Sequence, residues 1–576
     1  MATADDDFVR VATLEDLGGE GPAVVTTRGR AIALVRHEGE IHAVDNRCPH
    51  MGFPLAQGTV EDGILTCHWH HARFELSCGS TFDPFADDVP TYPVAVRDGE
   101  IWVDPDPKRD DSPEERWLGR LEDGLENDLR LVLAKSVIGL EDAGVDPEIP
   151  IERIATFGAR YRDDGWGRGL TTLGATANLL PYLDPEDRRR ALYTGAVSVA
   201  DDVAGHSPRF VQDPLSGAHE PERLERWFRD CIEVRDRQGA ERVLRAAIGV
   251  CRSERVVSML VGAATDHRYL DAGHTIDFLN KACETLDRVG WEYADDLLPA
   301  LVPQLASAQR SEERSSWRQP VDLAALLDES FADLPERIAV GEGADGWSAP
   351  EGFRETLLAD DPEAIVAALD DAIESGASAV RLADRVAEAA AVRIVRFGTG
   401  NEFRDWNTGH PTYTYANAVC GPARRTGSEG TYRAVYDGAI NVYLDRFLNT
   451  PPAPIPEPRT VERDPETLLS ALRETFDEEG AVNEAGRLVA NYLDSGGDRT
   501  ELQRALGNAL LREDANFHTL QNVEAAFAGA ARGEPRTHLV ATARYLAAHT
   551  PTRREREQTF RIATRLHRGE AIHETG

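Results

Sequence analysis

Two short runs constrain this chain more than anything else in it: Cys48-Pro49-His50 and Cys67-His68-Trp69-His70. Each offers one thiol and one imidazole, as C-x-H and then C-x-x-H, with 16 residues between them. Sulfur and nitrogen donors in equal number, on two loops of one small domain, suit iron or zinc.

The flanks read as a sheet able to hold two such loops. Residues 8–11, 23–26, 31–35 and 41–44 are short β-rich runs, punctuated by turns such as Gly18-Gly19 and His37-Glu38-Gly39-Glu40. After the second loop come further runs at 73–76, 92–96 and 99–103. Residues 8–104 are thus expected to form a self-sufficient antiparallel β domain.

In Cys48-Pro49-His50-Met51-Gly52, Cys67-His68-Trp69-His70, Phe74-Glu75-Leu76 and Pro90-Thr91-Tyr92-Pro93-Val94, this stretch resembles the Rieske [2Fe–2S] domain of ferredoxin and oxygenase type. The resemblance implies one cluster per chain, with Cys48 and Cys67 on a buried iron and His50 and His70 on the outer one. A zinc site made from the same donors is the alternative. Two residues depart from the family pattern: His68 stands where the family usually has Pro, and His71 where it usually has Gly. Gly there lets the backbone approach the cluster closely, so His71 is expected to crowd the loop or alter its hydrogen bonds. Both spare imidazoles are otherwise read as solvent-facing. Respiratory members add a second Cys pair and two hydroxyl donors; their places here are similar to Met51, Ala72 and Phe74, which carry no hydroxyl. Fewer hydrogen bonds to sulfur imply a potential toward the low end of the roughly −150 to +300 mV Rieske span.

At 576 residues the chain should hold more than one domain. Its seven cysteines do not make a disulfide framework; Cys78, Cys231, Cys251, Cys283 and Cys420 are scattered, which fits a reducing cytoplasm. The opening Met1 to Arg10 is acidic and polar and reads as no export leader, and no apolar run reaches the roughly 18–20 residues that span a bilayer. Membrane insertion is therefore not expected. A formal net charge of −37 excludes a generic nucleic-acid binder. Lysine occurs only at Lys108, Lys135 and Lys281, and such acid-rich, lysine-poor composition fits a protein kept soluble in high salt.

Beyond a polar linker at 106–115 the character changes. Leu118, Leu121, Leu125, Leu129 and Val132 recur at helical spacing, as do the apolar residues of 321–334 and 377–397. The expected fold is multidomain: an all-β domain at 1–105, an α-helical domain at 116–450, a proline-rich connection at 451–460 and an α-helical subdomain at 461–576. The acidic-then-two-histidine pattern of ring-hydroxylating catalytic domains is missing; the nearest stretch, Asp266-His267 to His274, has the wrong spacing.

A weak recurrence stands out instead. His274, His410 and His518 each open an apparent helix, with Asp271, Asp405 and Asp514 shortly before them, and Asp202 with His206 adds a looser instance. Three copies of one helix pair would make the region a helical repeat or pseudo-symmetric bundle. In these His-initiated helices the region resembles the questin-oxidase-like family of α-helical oxygenases. Two imidazoles and a carboxylate with open positions would make a non-haem iron site; alternatively the aspartates cap helices and the imidazoles are structural. His206, His274, His410, His518 and His538 are the candidates for a second metal or substrate site. No phosphate cradle with a Walker lysine occurs, so electrons should come from a separate flavin reductase or ferredoxin. Two functions remain: an oxidoreductase passing single electrons from cluster to helical region or docked acceptor, with oxygenase chemistry as one version, or a non-enzymatic electron-transfer or redox-sensing module on a helical docking scaffold.

Overall fold

In the computed structural model, residues 7–18, 21–107, 111–344, 346–398, 403–456, 464–570 and 572 are described. Gly19, Lys108, the middle of the 106–115 linker and the end of the proline-rich run lie outside them. Ten strands open the chain: β1 Val9–Thr13, β2 Ala23–Thr27, β3 Arg30–His37, β4 Glu40–Asp45, β5 Thr59–Glu61, β6 Ile64–Thr66, β7 Arg73–Glu75, β8 Thr91–Tyr92, β9 Val94–Arg97 and β10 Glu100–Val103. They form three antiparallel sheets, ordered β1-β10-β9, β2-β3-β4-β8 and β5-β6-β7.

Four hairpins share one turn. Arg28-Gly29, Glu38-Gly39, Asp62-Gly63 and Asp98-Gly99 each place two residues at positive φ between paired strands. That geometry matches the right-handed twist of the strands and selects X-Gly. In β3, between β2 and β4, the run Ile32-Ala33-Leu34-Val35 is buried on both faces because each face meets a core. Its alternate side chains serve two cores: Ala33 and Val35 with Cys48, Cys67 and Phe74, and Ile32 and Leu34 with Tyr92, Ile101 and Val103.

Every expected strand run is present, but β5 and β6 were not foreseen. Three residues each are too few for a period to show, and only Asp62-Gly63 marks them. The 92–96 run is divided by Pro93, which cannot donate to a ladder.

Helices follow. The first, α1 (Pro113–Glu126), starts inside the expected linker: the Ser112 hydroxyl accepts from Glu115 N–H, and the Glu115 carboxylate accepts from Ser112 N–H, a capping box with Pro at the first helical position. The leucine repeat does not make one helix. Asp128, at positive φ, separates α1 from α2 (Arg130–Asp142). From residue 111 onward no strand occurs among the described residues, as the helical spacing predicted.

Packing divides the chain into two units, Met1–Pro150 with Gln558–Gly576, and Ile151–Glu557. These cut across the divisions drawn from composition. Helices α1 and α2 belong with the β sheets. Beyond the proline-rich run, helices Phe517–Arg532 and Pro535–Ala548 pack on Ala379–Val395 and Phe403–Thr426. The run itself is tied back by Ala453 N–H to the Arg396 carbonyl, so it crosses within one unit.

Candidate metal centre

The first unit brings all four expected donors together on two loops of the same construction. In one, Gly52 N–H returns to the Cys48 carbonyl (2.8 Å) and Cys48 N–H reaches the Phe53 carbonyl (2.8 Å). In the other, His71 N–H returns to the Cys67 carbonyl (3.0 Å) and Cys67 N–H reaches the Ala72 carbonyl (2.8 Å). Each turn needs a left-handed residue at its end, Gly52 at φ 82° and His71 at φ 62°. The first loop satisfies this with glycine; the second strains a histidine, since an L residue there costs about 1–2 kcal/mol.

Cys48 and Cys67 are buried and their thiols stand within hydrogen-bond reach. The contact with Cys48, helped by Trp69 and His70 N–H groups, brings the Cys67 thiol down to about 6, while Cys48 is pushed up by the same contact and by burial. Backbone N–H groups of His50 and Met51 face the Cys48 sulfur. Ala72 and Phe74 fill the core beside both sulfurs and bring no hydroxyl.

The imidazoles lie outward: His50 is half-buried and His70 exposed, with ring centres 4.7 Å apart. Rings this close could both reach one ion held at about 2.0–2.1 Å by a nitrogen of each. Burial, then His70 and the Lys135 ammonium, lower His50 to about 4; burial and His71 lower His70. Both rings are therefore neutral near pH 7, the state that can ligate metal. His50 Nδ1 is buried without a hydrogen-bond partner. A donor left bare in this way, beside two thiols and a second neutral imidazole, fits an iron–sulfur group. His68 and His71 are exposed, and His68 Nε2 lies 3.3 Å from the Thr59 hydroxyl.

The second unit gathers His274, His410 and His518 as well. His410 and His518 have ring centres 4.6 Å apart, and His274 stacks on His518 at 6.1 Å. His549, which sequence reasoning missed, completes the group: its Nδ1 donates to the Tyr545 carbonyl (2.8 Å), and the Tyr545 ring lies 5.6 Å from His410. Both His410 nitrogens and His518 Nε2 are buried and unpartnered. Burial holds His410 well below the usual imidazole range and His518 at about 4.

Several details differ from expectation. His274 does begin a helix and His518 lies in the first turn of one, but His410 lies inside Phe403–Thr426, which runs on through Pro411. Asp514 accepts from Glu555 and Arg556 N–H at the start of helix Glu555–His567 and so caps that helix rather than the one holding His518. Asn516, not Asp514, accepts from Thr519 N–H, and Asp271 accepts from the Gln304 side chain. The carboxylate near the cluster is Asp277, 3.9 Å from His274 Nδ1 and held by Gln521. Among the described residues no three His, Cys, Asp or Glu side chains are arranged to hold one metal ion. His206 pairs with Asp163, and His538 Nδ1 meets the Tyr413 hydroxyl at 2.8 Å, so neither joins the group.

Small antiparallel sheets presenting two Cys/His loops, sulfurs inside and imidazoles outside, define a one-electron carrier of the Rieske kind. The sequence profile of the Rieske [2Fe-2S] domain matches residues 7–93. The ferredoxin component of an alkene monooxygenase system from Xanthobacter autotrophicus is 31% identical over 104 residues, 18% of this chain and 85% of that one. The ferredoxin subunit of a 3-phenylpropionate/cinnamic acid dioxygenase from Photorhabdus laumondii is 38% identical over 95 residues, 16% of this chain and 90% of the other. Among solved structures, the ferredoxin of carbazole 1,9a-dioxygenase from Nocardioides aromaticivorans aligns over its whole length and 18% of this chain, at 30% identity and a TM-score of 0.17. Through its first hundred residues the chain belongs to the Rieske [2Fe-2S] family, and its cofactor is a [2Fe–2S] cluster. No described helix is long and apolar enough to cross a membrane.

Proposed function

We propose that this chain is a cytoplasmic oxidoreductase component whose cluster is held by Cys48, His50, Cys67 and His70. It would receive single electrons from an external flavin reductase or ferredoxin. The observation that carries the reading is the convergence of two buried thiols and two neutral, outward imidazoles on loops of identical construction. When bound, the group supplies outer-sphere one-electron transfer. The protein's part is to keep the sulfurs away from water, hold the imidazoles deprotonated and present His70 at the surface, where a partner can approach. The free thiols accord with a reducing compartment.

For the acceptor, the buried histidine group of the helical unit is favoured over a docked partner. Three unpartnered ring nitrogens in a protein interior, two on His410 and one on His518, are costly unless something engages them, which supports an oxygenase-type site around His274, His410 and His518. The rival reading, a redox module on a docking scaffold, gives those nitrogens no task. His70→Ala tests the ligand set: the native visible and paramagnetic spectrum should be lost or replaced, and a wild-type spectrum would refute it.

A further inference from the structure

The chain uses arginine for nearly all its positive charge, yet keeps a lysine at 135, in the middle of α2. Its side chain is only 6% exposed. The ammonium donates to the Pro49 carbonyl, to the His50 carbonyl at 3.0 Å and to the Asp87 carboxylate at 3.2 Å. Three N–H groups meet three oxygens, a convergence that suits a compact ammonium rather than a planar guanidinium. Arg120 of α1 binds the other oxygen of Asp87 at 2.8 Å and the Pro84 carbonyl at 2.7 Å. Asp87 is thus shared by two cations, and Lys135 is the one fixed on the Cys48–His50 loop. Lys135 lies beyond residue 93, where the match to the family ends.

We propose that Lys135 is a positioning residue that sets the cluster's reduction potential, clamping the His50 loop and favouring the reduced state. This rests on the reading that Cys48, His50, Cys67 and His70 hold the group. Reduction adds one electron from an external reductant, with no bond made or broken and no proton moved. The added negative charge is stabilised by a fixed cation shielded from solvent. The clamp also offsets the missing hydroxyl donors at Ala72 and Phe74.

The test is a mediated redox titration of the anaerobically purified full chain, read by visible and paramagnetic spectra. Lys135→Met should shift the reduction equilibrium at least tenfold toward the oxidised form, about 59 mV downward for one electron. Lys135→Arg, which retains charge, should shift it less, and Asp87→Asn should move it upward. A fully loaded Lys135→Met protein within twofold of wild type overturns the proposal and leaves the ligand set untouched. If Lys135→Met does not hold the group, Asp87→Asn decides: a rise supports the proposal, no change or a fall overturns it. Wild-type protein with no cluster spectrum overturns the ligand reading and this proposal with it.

Discussion

His71 ends the second Cys/His loop where φ is 62°, the counterpart of Gly52 in the first. Of the non-glycine residues, histidine is among those that tolerate this region, whereas a β-branched residue does not. His71→Val should therefore lower stability below that of wild type and lower cluster yield, while His71→Gly, freed of the roughly 1–2 kcal/mol left-handed cost, should match wild type or exceed it. Thermal unfolding of the three proteins checks this, and an unaffected valine variant would remove the strain argument. That the thiols of Cys48 and Cys67 would meet, and the rings of His50 and His70 likewise, was legible in the sequence because cysteine and histidine at such short spacing have few other uses. The strain at His71 was legible only as a departure from a pattern, since nothing in a sequence displays φ. His549 was not legible at all: it sits beyond the helix Pro535–Ala548, with no neighbouring motif, and joins the group only through tertiary packing.

At the scale of elements, α1 and α2 make a hairpin whose close approach depends on Gly139. A Cβ there would meet the Trp117 indole at 2.1 Å, well inside contact distance. Gly139→Ala should displace the indole and destabilise the first unit by about 1–3 kcal/mol, seen as an earlier thermal transition; unchanged melting would show that the hairpin gives way freely. Because Lys135 lies one turn before Gly139, the same variant should also loosen the clamp on the His50 loop. The strands and long helices could be read from hydrophobic period and X-Gly turns, but boundaries needed rules of another kind. Ser112-Pro113-Glu114-Glu115 carried a complete capping box within a segment whose composition suggested a linker. Gly409-His410-Pro411, read as the opening of a helix, lies inside one, because packing on neighbouring helices outweighs the hydrogen bond that proline forgoes.

For the whole molecule, several imidazoles are buried in the neutral state, and this fixes how the helical unit should respond to acid. His538 is 4% exposed; burial first, then Arg532 and Arg385, lower it to about 3. In the unfolded chain its value returns to about 6.5, so between these limits the unfolded state binds one more proton than the folded one. Stability from this group is complete above about 6.5 and is lost as pH falls toward 3. At pH 5 the loss is about 2 kcal/mol. Comparing His538→Gln with wild type cancels other groups, including Asp437 and Asp445, whose carboxyls burial pushes up to about 7. The variant should thus gain about 2 kcal/mol relative to wild type between pH 7 and pH 5. Urea unfolding at both pH values checks this, and parallel losses would contradict it. Helical content was legible at this scale. The grouping of elements into units was not, because composition records where the chain changes character rather than what packs on what.

The central claim is that two thiolates and two imidazoles near the start of the chain enclose a [2Fe–2S] group. Iron and acid-labile sulfide assays on anaerobically purified protein, joined to electron paramagnetic resonance of the reduced form, test it most directly. The first unit should account for two iron and two sulfide per chain, with a mixed nitrogen–sulfur signal that disappears in His70→Ala. Colourless protein carrying zinc, or reduced protein without that signal, would contradict the account.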